Sequence, residues 1–267
     1  MLNKHLLPLS IAAGLSLFGQ HAFADTSEPV KLDVKPTVQY QYLSADNEAD
    51  KQVLDTIKSS DAIQTVLELS KSVVVFSEPV AITFGAEDGP LYDPEKHEIL
   101  VPYSFFHHAV ERFKSNNYKE SGITEKQAAL DSLLHTLLHE LGHAYVADQN
   151  IPVLGKEEDA VDNFANVLLL NYVENGDEVA ISAADLFAYE DQQVEAFENL
   201  DFIDEHSLDI QRYYYTLCLI YGSNPDQHSQ LLNEIDKEYK KEREDICQEE
   251  FMRVTENWKT YLSDEKI

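Results

Sequence analysis

The sequence predicts an α+β fold, in which a small antiparallel sheet packs on a mostly helical domain around one central helix. Short runs of β-branched and aromatic residues, separated by turn residues, lie between residues 73 and 101. After residue 105 the apolar residues recur at helical spacing almost to the C-terminus. Strands that come first and helices that follow are typical of an α+β architecture.

The first 24 residues are predicted to be a signal peptide. Lys4 precedes an apolar run over residues 6–18, and Ala22-Phe23-Ala24 has the small-x-small pattern that predicts cleavage after Ala24. A transmembrane anchor is the alternative, but this run of 13 residues is too short to cross a bilayer. We therefore expect a periplasmic or secreted protein with no stable membrane insertion after cleavage.

The chain is strongly acidic. Its formal net charge is −29, and removal of residues 1–24 takes away one lysine, which leaves −30. Nucleic acids and anionic membrane surfaces bind basic patches, so the charge argues against both as partners. A solubility adaptation to a salty medium is the general explanation, and attraction of basic peptides or cations is the specific one. The sequence carries no signal for an oligomeric state.

Residues 25–70 are predicted to form a linker or a helical extension ahead of a main domain over residues 71–267. Residues 38–42 alternate like an edge strand, and residues 48–69 have helical spacing interrupted near Ser59-Ser60. The sheet of the main domain is predicted from three β-rich runs and one shorter pairing segment, which are Val73–Phe76, Val80–Phe84, His97–Val101 and Leu91-Tyr92.

Six helices are predicted after the strands. Thr124 stands three residues before Gln127, which is a helix-capping signal, and Asn175-Gly176 is typical of a helix end. Gly222-Ser-Asn-Pro225 separates the last two helices. The predicted helices are residues 105–113, 124–149, 156–173, 182–200, 208–221 and 225–261.

The mature chain contains two cysteines, Cys218 and Cys247. In an exported protein an even pair of cysteines usually forms a disulfide, which here would join the last two helices. Two buried free thiols are the alternative.

The helix predicted over residues 124–149 carries His139-Glu140-Leu141-Gly142-His143, the H-E-x-x-H pattern. Histidines four residues apart lie on one face of a helix, so both rings can bind one metal ion. Glu140 lies about 100° round the helix from His139, where its carboxylate can reach a water on that ion. Histidines that merely cap or pair with neighbours are the structural alternative, which weakens once a third ligand is found.

His135 lies on the same face of the helix, but we predict that it does not bind the ion. It is eight residues from His143, about 12 Å along the helix axis, and metal–nitrogen bonds of about 2.0–2.1 Å cannot bridge that distance. His135 is therefore interpreted as a residue that either supports the ligands from behind or packs in the core. His107 and His108 have no partner pattern and are interpreted as ordinary helix residues.

The third ligand is predicted on the following helix. Glu158 and Asp162 are four residues apart and fall on one flank of its apolar face, whereas Asp159 points away. Glu158 would bind the ion, and Asp162 would accept the N–H of a metal-bound histidine and fix its tautomer. A solvated acidic first turn, favourable at the positive end of the helix dipole, is the alternative.

These motifs resemble those of the gluzincin (thermolysin-like) metallopeptidases, in which H-E-x-x-H is followed by E-x-x-x-D. They are most similar to a bacterial metallopeptidase family catalogued as a domain of unknown function. The resemblance covers most of the mature chain and is strong from Leu137 to Pro225. It implies a zincin-like, metallopeptidase-like domain over residues 71–267. The segments that carry it are residues 139–143, 152–159, 204–212, 217–218 and 221–222.

The resemblance also implies roles for residues further along the chain. Related gluzincins use a downstream histidine to stabilise the oxyanion, so His206 is a candidate for this role and Arg212 is a second. A loop salt bridge for His206, and pairing of Arg212 with Asp209 or Glu205, are the alternatives. The strand over residues 97–101 is expected to present its edge to an extended substrate, with Tyr103 lining the pocket.

The sequence thus predicts a secreted zinc metallopeptidase with one Zn²⁺ ion, which cleaves a peptide or protein substrate through a metal-activated water with Glu140 as general base. Two other hypotheses are open. One is a metal-binding or partner-binding protein that retains the fold with little turnover, and the other is a zinc amidohydrolase that acts on a non-peptide amide. The intact Glu140 favours the enzymes, because a binding protein does not need that base.

Overall fold

The structure, a computed structural model, describes residues 38–118, 122–233 and 235–263. The predicted signal peptide and residues 25–37 of the predicted linker lie outside these ranges. Within them, no helix combines the length and the apolar character that a membrane span requires.

A four-stranded mixed sheet forms the smaller part of the α+β fold. Its strands are β1 (Val38–Tyr42), β2 (Val80–Phe84), β3 (Leu91–Asp93) and β4 (Glu98–Val101), in the spatial order β1-β2-β4-β3. Strand β1 pairs with β2 and β2 pairs with β4 in parallel, and only β3 and β4 are antiparallel.

The predicted antiparallel sheet is therefore wrong, although the α+β class is confirmed. Two helices lie between β1 and β2 in the chain and bring it back to the end of the sheet where β1 starts, so β2 runs parallel to β1. Strand β3 does the same between β2 and β4, which are also parallel. His97 is not in a strand but in the turn before β4, with a φ of 54°.

The predicted strand Val73–Phe76 is also wrong. The N–H groups of Val73 and Val74 both donate to the carbonyl of Leu69, each at 2.9 Å, and so close the end of the preceding helix. The carbonyl of Val73 accepts from the N–H of Ser263 at 3.0 Å. Val73, Val74 and Phe76 are apolar because they lie in the core, whereas Val75 is exposed. The three backbone groups named above are satisfied without a strand partner.

Eight α-helices form the larger part of the described chain. The break at Ser59-Ser60 and the Thr124 cap, which accepts from the N–H of Gln127, agree with the sequence prediction. The helices are α1 (Glu48–Lys58), α2 (Ala62–Ser72), α3 (Tyr103–Ser115), α4 (Glu125–Gln149), α5 (Glu157–Tyr172), α6 (Gly176–Asp191), α7 (Asp209–Ser223) and α8 (Lys237–Lys259).

Two predicted helices have wrong bounds. Asn175 adopts a left-handed conformation, and α6 begins directly after it and ends at Asp191, not at residue 200. Residues 192–208 form a connection with only one short 3-10 helix, Asp201–Ile203. Helix α8 begins only at Lys237, and residues 225–233 before it form turns. In these turns Nε2 of His228 lies 3.1 Å from Oδ2 of Asp177 on α6.

Helix α4 lies at the centre of the fold. It contacts α2, α3, α5 and α6 as well as β3 and β4, and it buries side chains on all of its faces. Gly142 allows α5 to approach, because a Cβ atom at this position would lie 2.9 Å from Cβ of Val161. The H-E-x-x-H helix and the next helix are therefore in close contact at the level of the motif.

Strand β1 and helices α1 and α2 contribute Val38, Ile57 and Val66 to the same hydrophobic core as α4. The domain boundary at residue 70 stays a prediction. Cys218 on α7 and Cys247 on α8 form a disulfide with a Cα–Cα distance of 5.0 Å.

Candidate metal centre

His139, His143 and Glu158 form a group that could hold a metal ion. Nε2 of His139 lies 3.1 Å and Nε2 of His143 lies 3.3 Å from Oε2 of Glu158. The ligand atoms of the three residues all lie within 4.8 Å of one another. Ligand atoms at about 2.0–2.1 Å from a tetrahedral ion are about 3.3–3.4 Å apart, so both carboxylate–imidazole separations fit such an ion. These are the three residues predicted as ligands.

The orientation of the His139 ring is fixed by Asp162 on α5. Nδ1 of His139 lies 2.7 Å from Oδ1 of Asp162. Burial opposes ionisation of Asp162, but the charge of Arg212 and the hydrogen bond from His139 hold its pKa well below the usual range. The carboxylate therefore accepts the Nδ1–H, and in the neutral ring the Nε2 lone pair points towards Glu158.

His139 lies in an environment that stabilises positive charge. Burial disfavours the imidazolium, but hydrogen bonds to Asp162 and Glu158 outweigh burial and raise the pKa to about 9. Burial also opposes ionisation of Glu158, and its hydrogen bonds with His139, His143 and His206 nevertheless lower its pKa far below the usual range. The carboxylates of Asp162 and Glu158 therefore favour a bound cation beside His139.

Glu157 is a site residue that the sequence reasoning missed. Its Oε1 lies 2.9 Å from Nδ1 of His143, so that the second histidine also has a carboxylate behind its ring. Unlike Glu158, Glu157 has no acidic residue four positions on, so the spacing that predicts Glu158 does not indicate it. The sequence feature that could have indicated Glu157 is its position next to Glu158. The first turn of α5 faces α4, so it can supply one carboxylate to each histidine.

Glu140 is buried next to the two histidines. Burial raises the pKa of its carboxyl group, while the charges of His139 and His143 and the backbone N–H of Tyr92 act in the opposite direction. Tyr92 belongs to β3, so the sheet contributes a backbone donor to the residue predicted as general base. No pattern in the sequence indicates this contact.

His206 reaches the same point from the connection between α6 and α7. Its Nε2 lies 2.9 Å from Oε2 of Glu158, and its ring stacks on that of His139 with centroids 6.2 Å apart. Nζ of Lys156 donates to its backbone carbonyl at 2.8 Å. Lys156 immediately precedes α5, so this hydrogen bond holds the end of the connection against the helix that carries Glu158.

Arg212 is bound to Asp162. Its Nε and Nη2 donate to the two carboxylate oxygens at 2.7 and 2.9 Å, and its guanidinium lies over the ring of Phe187. Asp209, one of the predicted partners, is a more distant contact at 3.6 Å. The main partner, Asp162, was not among those considered, and the guanidinium acts on the site through that residue.

His135 lies outside the group. It is almost fully buried against Phe187, and burial lowers its pKa to about 4, so the ring is neutral. Its Nε2 has no hydrogen-bond partner among the described residues. The packing role inferred from its spacing agrees with this environment.

A cleft of about 630 Å³ opens over the group and runs between β3 and the start of α5. Strand β3, not the strand over residues 97–101, lies beside the cleft, because β4 is enclosed between β2 and β3. Tyr103 does not have the predicted pocket position. It is 5% exposed and donates its hydroxyl proton to the carbonyl of Leu43.

The fold and this group define an α+β protein with a candidate His-His-Glu metal site of the kind found in metal-dependent hydrolases. A family model with the description "Putative metallopeptidase" matches residues 42–262, which is most of the chain. The chain therefore belongs to this family, as the resemblance of its motifs implied. Searches of curated proteins and of solved structures gave no match.

Proposed function

We propose that the protein is a secreted zinc-dependent metallopeptidase of the gluzincin type. The observation that carries this proposal is the approach of His139 and His143 to one carboxylate oxygen of Glu158, with Glu140 buried beside them. Two imidazoles and one glutamate are the ligands of thermolysin-type catalytic zinc. The disulfide is compatible with an extracytoplasmic location, and secretion itself rests on the predicted signal peptide.

A zinc ion in this site would supply an activated water and polarise the carbonyl of the scissile amide. Glu140 accepts a proton at its carboxylate and then delivers it to the leaving nitrogen. The ring of His206 donates a hydrogen bond to the developing oxyanion. Asp162 and Glu157 hold the rings of His139 and His143 in place throughout.

The substrate backbone is proposed to lie along β3. This strand pairs with β4 on one side and borders the cleft on the other, so an extended peptide can add to its free edge. Cleavage of peptides rather than of small amides is favoured by this edge, because backbone pairing requires several consecutive residues.

The test combines metal analysis with cleavage of a peptide library. We expect Glu140→Gln to retain zinc and lose activity, and His143→Ala to lose both. Glu249→Gln, on the exposed face of α8, is the charge-matched control and should behave like the wild type. Activity that survives Glu140→Gln, or freshly purified protein without zinc, would contradict the proposal.

The remaining hypotheses predict other results in the same experiment. Zinc binding without cleavage of any library peptide would favour a binding protein. Turnover of small amides without peptide cleavage would favour an amidohydrolase.

A further inference from the structure

The connection between α6 and α7, residues 192–208, exposes an unusual number of large apolar side chains. Five such residues occur within ten positions, and their exposed fractions lie between 44% and 78%. They are Val194, Phe197, Leu200, Phe202 and Ile203. Single exposed apolar residues are common on protein surfaces, but a cluster of this size on one segment is typical of a binding surface.

This connection borders the candidate metal centre. It contains His206, whose Nε2 contacts Glu158 and whose carbonyl accepts a hydrogen bond from Lys156. A second cavity, of about 360 Å³, lies on the other side of His206 and is lined by Val194, Phe197 and Leu208. His206 lines both this cavity and the metal cleft, so the two are adjacent at this residue.

The part of the chain that contains this connection is strongly acidic. Between Lys156 and Arg212 the sequence contains sixteen aspartate and glutamate residues and no lysine or arginine. Four of these carboxylates line the second cavity, those of Asp191, Asp201, Asp204 and Asp209.

This charge is balanced only in part within the cavity, where Arg212 lies 3.6 Å from Asp209 and Nδ1 of His206 lies 3.6 Å from Asp204. Arg212 also lines this cavity, but its side chain already donates two hydrogen bonds to Asp162. Oδ1 of Asp191 is buried and accepts no hydrogen bond among the described residues. A cationic group bound in the cavity would be attracted by its four carboxylates.

We propose that the α6–α7 connection is a docking surface for the substrate, and that the segment it binds is an apolar, basic stretch of polypeptide. The apolar side chains would cover Phe197, Phe202 and Ile203, while lysine or arginine side chains would meet the surrounding carboxylates. This inference rests on the proposed peptidase function, since it places the docked segment next to the scissile bond. An anionic lipid surface does not fit, because the same carboxylates would repel it.

The test measures binding without cleavage, in the zinc-loaded full chain with the Glu140→Gln substitution. A short fluorescent peptide that alternates leucine or phenylalanine with lysine is compared with two partners, one with glutamine for every lysine and one with serine for every apolar residue. We expect either change to weaken binding about tenfold or more in low salt. Added salt should weaken only the lysine-dependent part.

Two triple variants then locate the surface. Glu195→Gln/Glu198→Gln/Asp201→Asn removes three charges from the connection, and Glu238→Gln/Glu242→Gln/Glu249→Gln removes three exposed charges from α8. The first should weaken binding of the lysine peptide about tenfold, and the second should leave it within about twofold. Phe202→Ser/Ile203→Ser should weaken binding of both leucine-containing peptides.

Equal binding of the three peptides, or equal effects of the two triple variants, would overturn the docking proposal. Failure of the metallopeptidase proposal has a different signature, which is absence of cleavage by the chain with Glu140 intact while the lysine peptide still binds selectively.

Discussion

Arg212 on α7 and Asp162 on α5 form a two-hydrogen-bond ion pair at 2.7 and 2.9 Å, and Asp162 also contacts the ring of His139. The ion pair is mostly buried, with the Arg212 side chain 15% exposed. A third helix therefore determines how a histidine on the central helix is oriented. Removal of Arg212 would leave a buried carboxylate whose remaining partner is a histidine.

The first prediction concerns this ion pair. Arg212→Met should lower the free energy of unfolding by about 3–5 kcal/mol, because it breaks a buried pair and leaves one charge behind. It should also weaken zinc binding about 10–100-fold through the loss of His139 orientation. Urea denaturation and competitive zinc titration measure the two effects.

Arg253 provides a matched control for this substitution. It pairs with Glu250 on α8, and its side chain is 62% exposed. Arg253→Met should therefore cost no more than about 1 kcal/mol and leave zinc affinity unchanged. Equal losses in the two variants would show that the Arg212–Asp162 pair has no special role.

The second prediction concerns Glu157. Glu157→Ala should lower zinc affinity about 10–100-fold, because the ring of His143 loses the carboxylate at its Nδ1. Asp159→Ala removes a charge from the same first turn of α5 and is the control for the helix dipole. Zinc titration of both variants should separate them, and equal affinities would argue against a role for Glu157 in positioning His143.

The third prediction concerns the contact between α4 and α5. Gly142→Ala places a methyl group against Val161 and should lower the free energy of unfolding by about 1–3 kcal/mol. Zinc affinity should fall as well, because α5 carries Glu158. Gly155→Ala, where an added Cβ meets no atom within 4 Å, is the control. Val161→Ala in the Gly142→Ala background should restore part of the zinc affinity, and a purely additive double variant would contradict the steric explanation.

The fourth prediction is a pH dependence of stability. Burial raises the pKa of Asp131 on α4, against the opposing effect of hydrogen bonds from Gln127 and Ser182. A carboxyl group with a raised pKa in the folded state stabilises the fold most when protonated, and this stabilisation is lost as pH rises from the unfolded pKa through the folded one. Asp131→Asn removes the titration.

Stability curves of both proteins from pH 3.5 to pH 7, in steps of about half a unit, test this prediction. The free energy of unfolding of Asp131→Asn minus that of the wild type should increase as pH rises through the titration of Asp131 and then level off, because only the wild type loses stability. A constant difference across the range would mean that the pKa of Asp131 is the same in the folded and unfolded states.

The helices of the site could be predicted from the sequence because their signals are local. Thr124 caps α4 through the N–H of Gln127, and the four-residue spacing of His139 with His143 and of Glu158 with Asp162 places each pair on one helix face. The loop between α4 and α5 is short, so the faces that carry the two pairs are expected to meet. These parts of the site could be predicted from the segments that form α4 and α5 alone.

The sheet and the outer part of the site depend on relationships that no local pattern records. The direction of β2 is set by the return of α1 and α2, and the contact of β3 with Glu140 is set by strand order. The pairing of Arg212 with Asp162 joins residues fifty positions apart. His206 lies in the α6–α7 connection, where the apolar residues have no regular spacing. Its approach to Glu158 could therefore be inferred only from the resemblance to a family.

Helix α5 holds Glu157, Glu158 and Asp162 within two turns, and through Lys156 it also holds the carbonyl of His206. Because a helix moves as one body, these groups cannot approach or leave the two histidines one at a time. Zinc binding should therefore slow amide hydrogen exchange in the first turns of α5 and in the H-E-x-x-H turn of α4 together, as one cooperative unit. Zinc would then stabilise the packing of α5 on α4, and the rate at which zinc dissociates would report how fast these two helices separate.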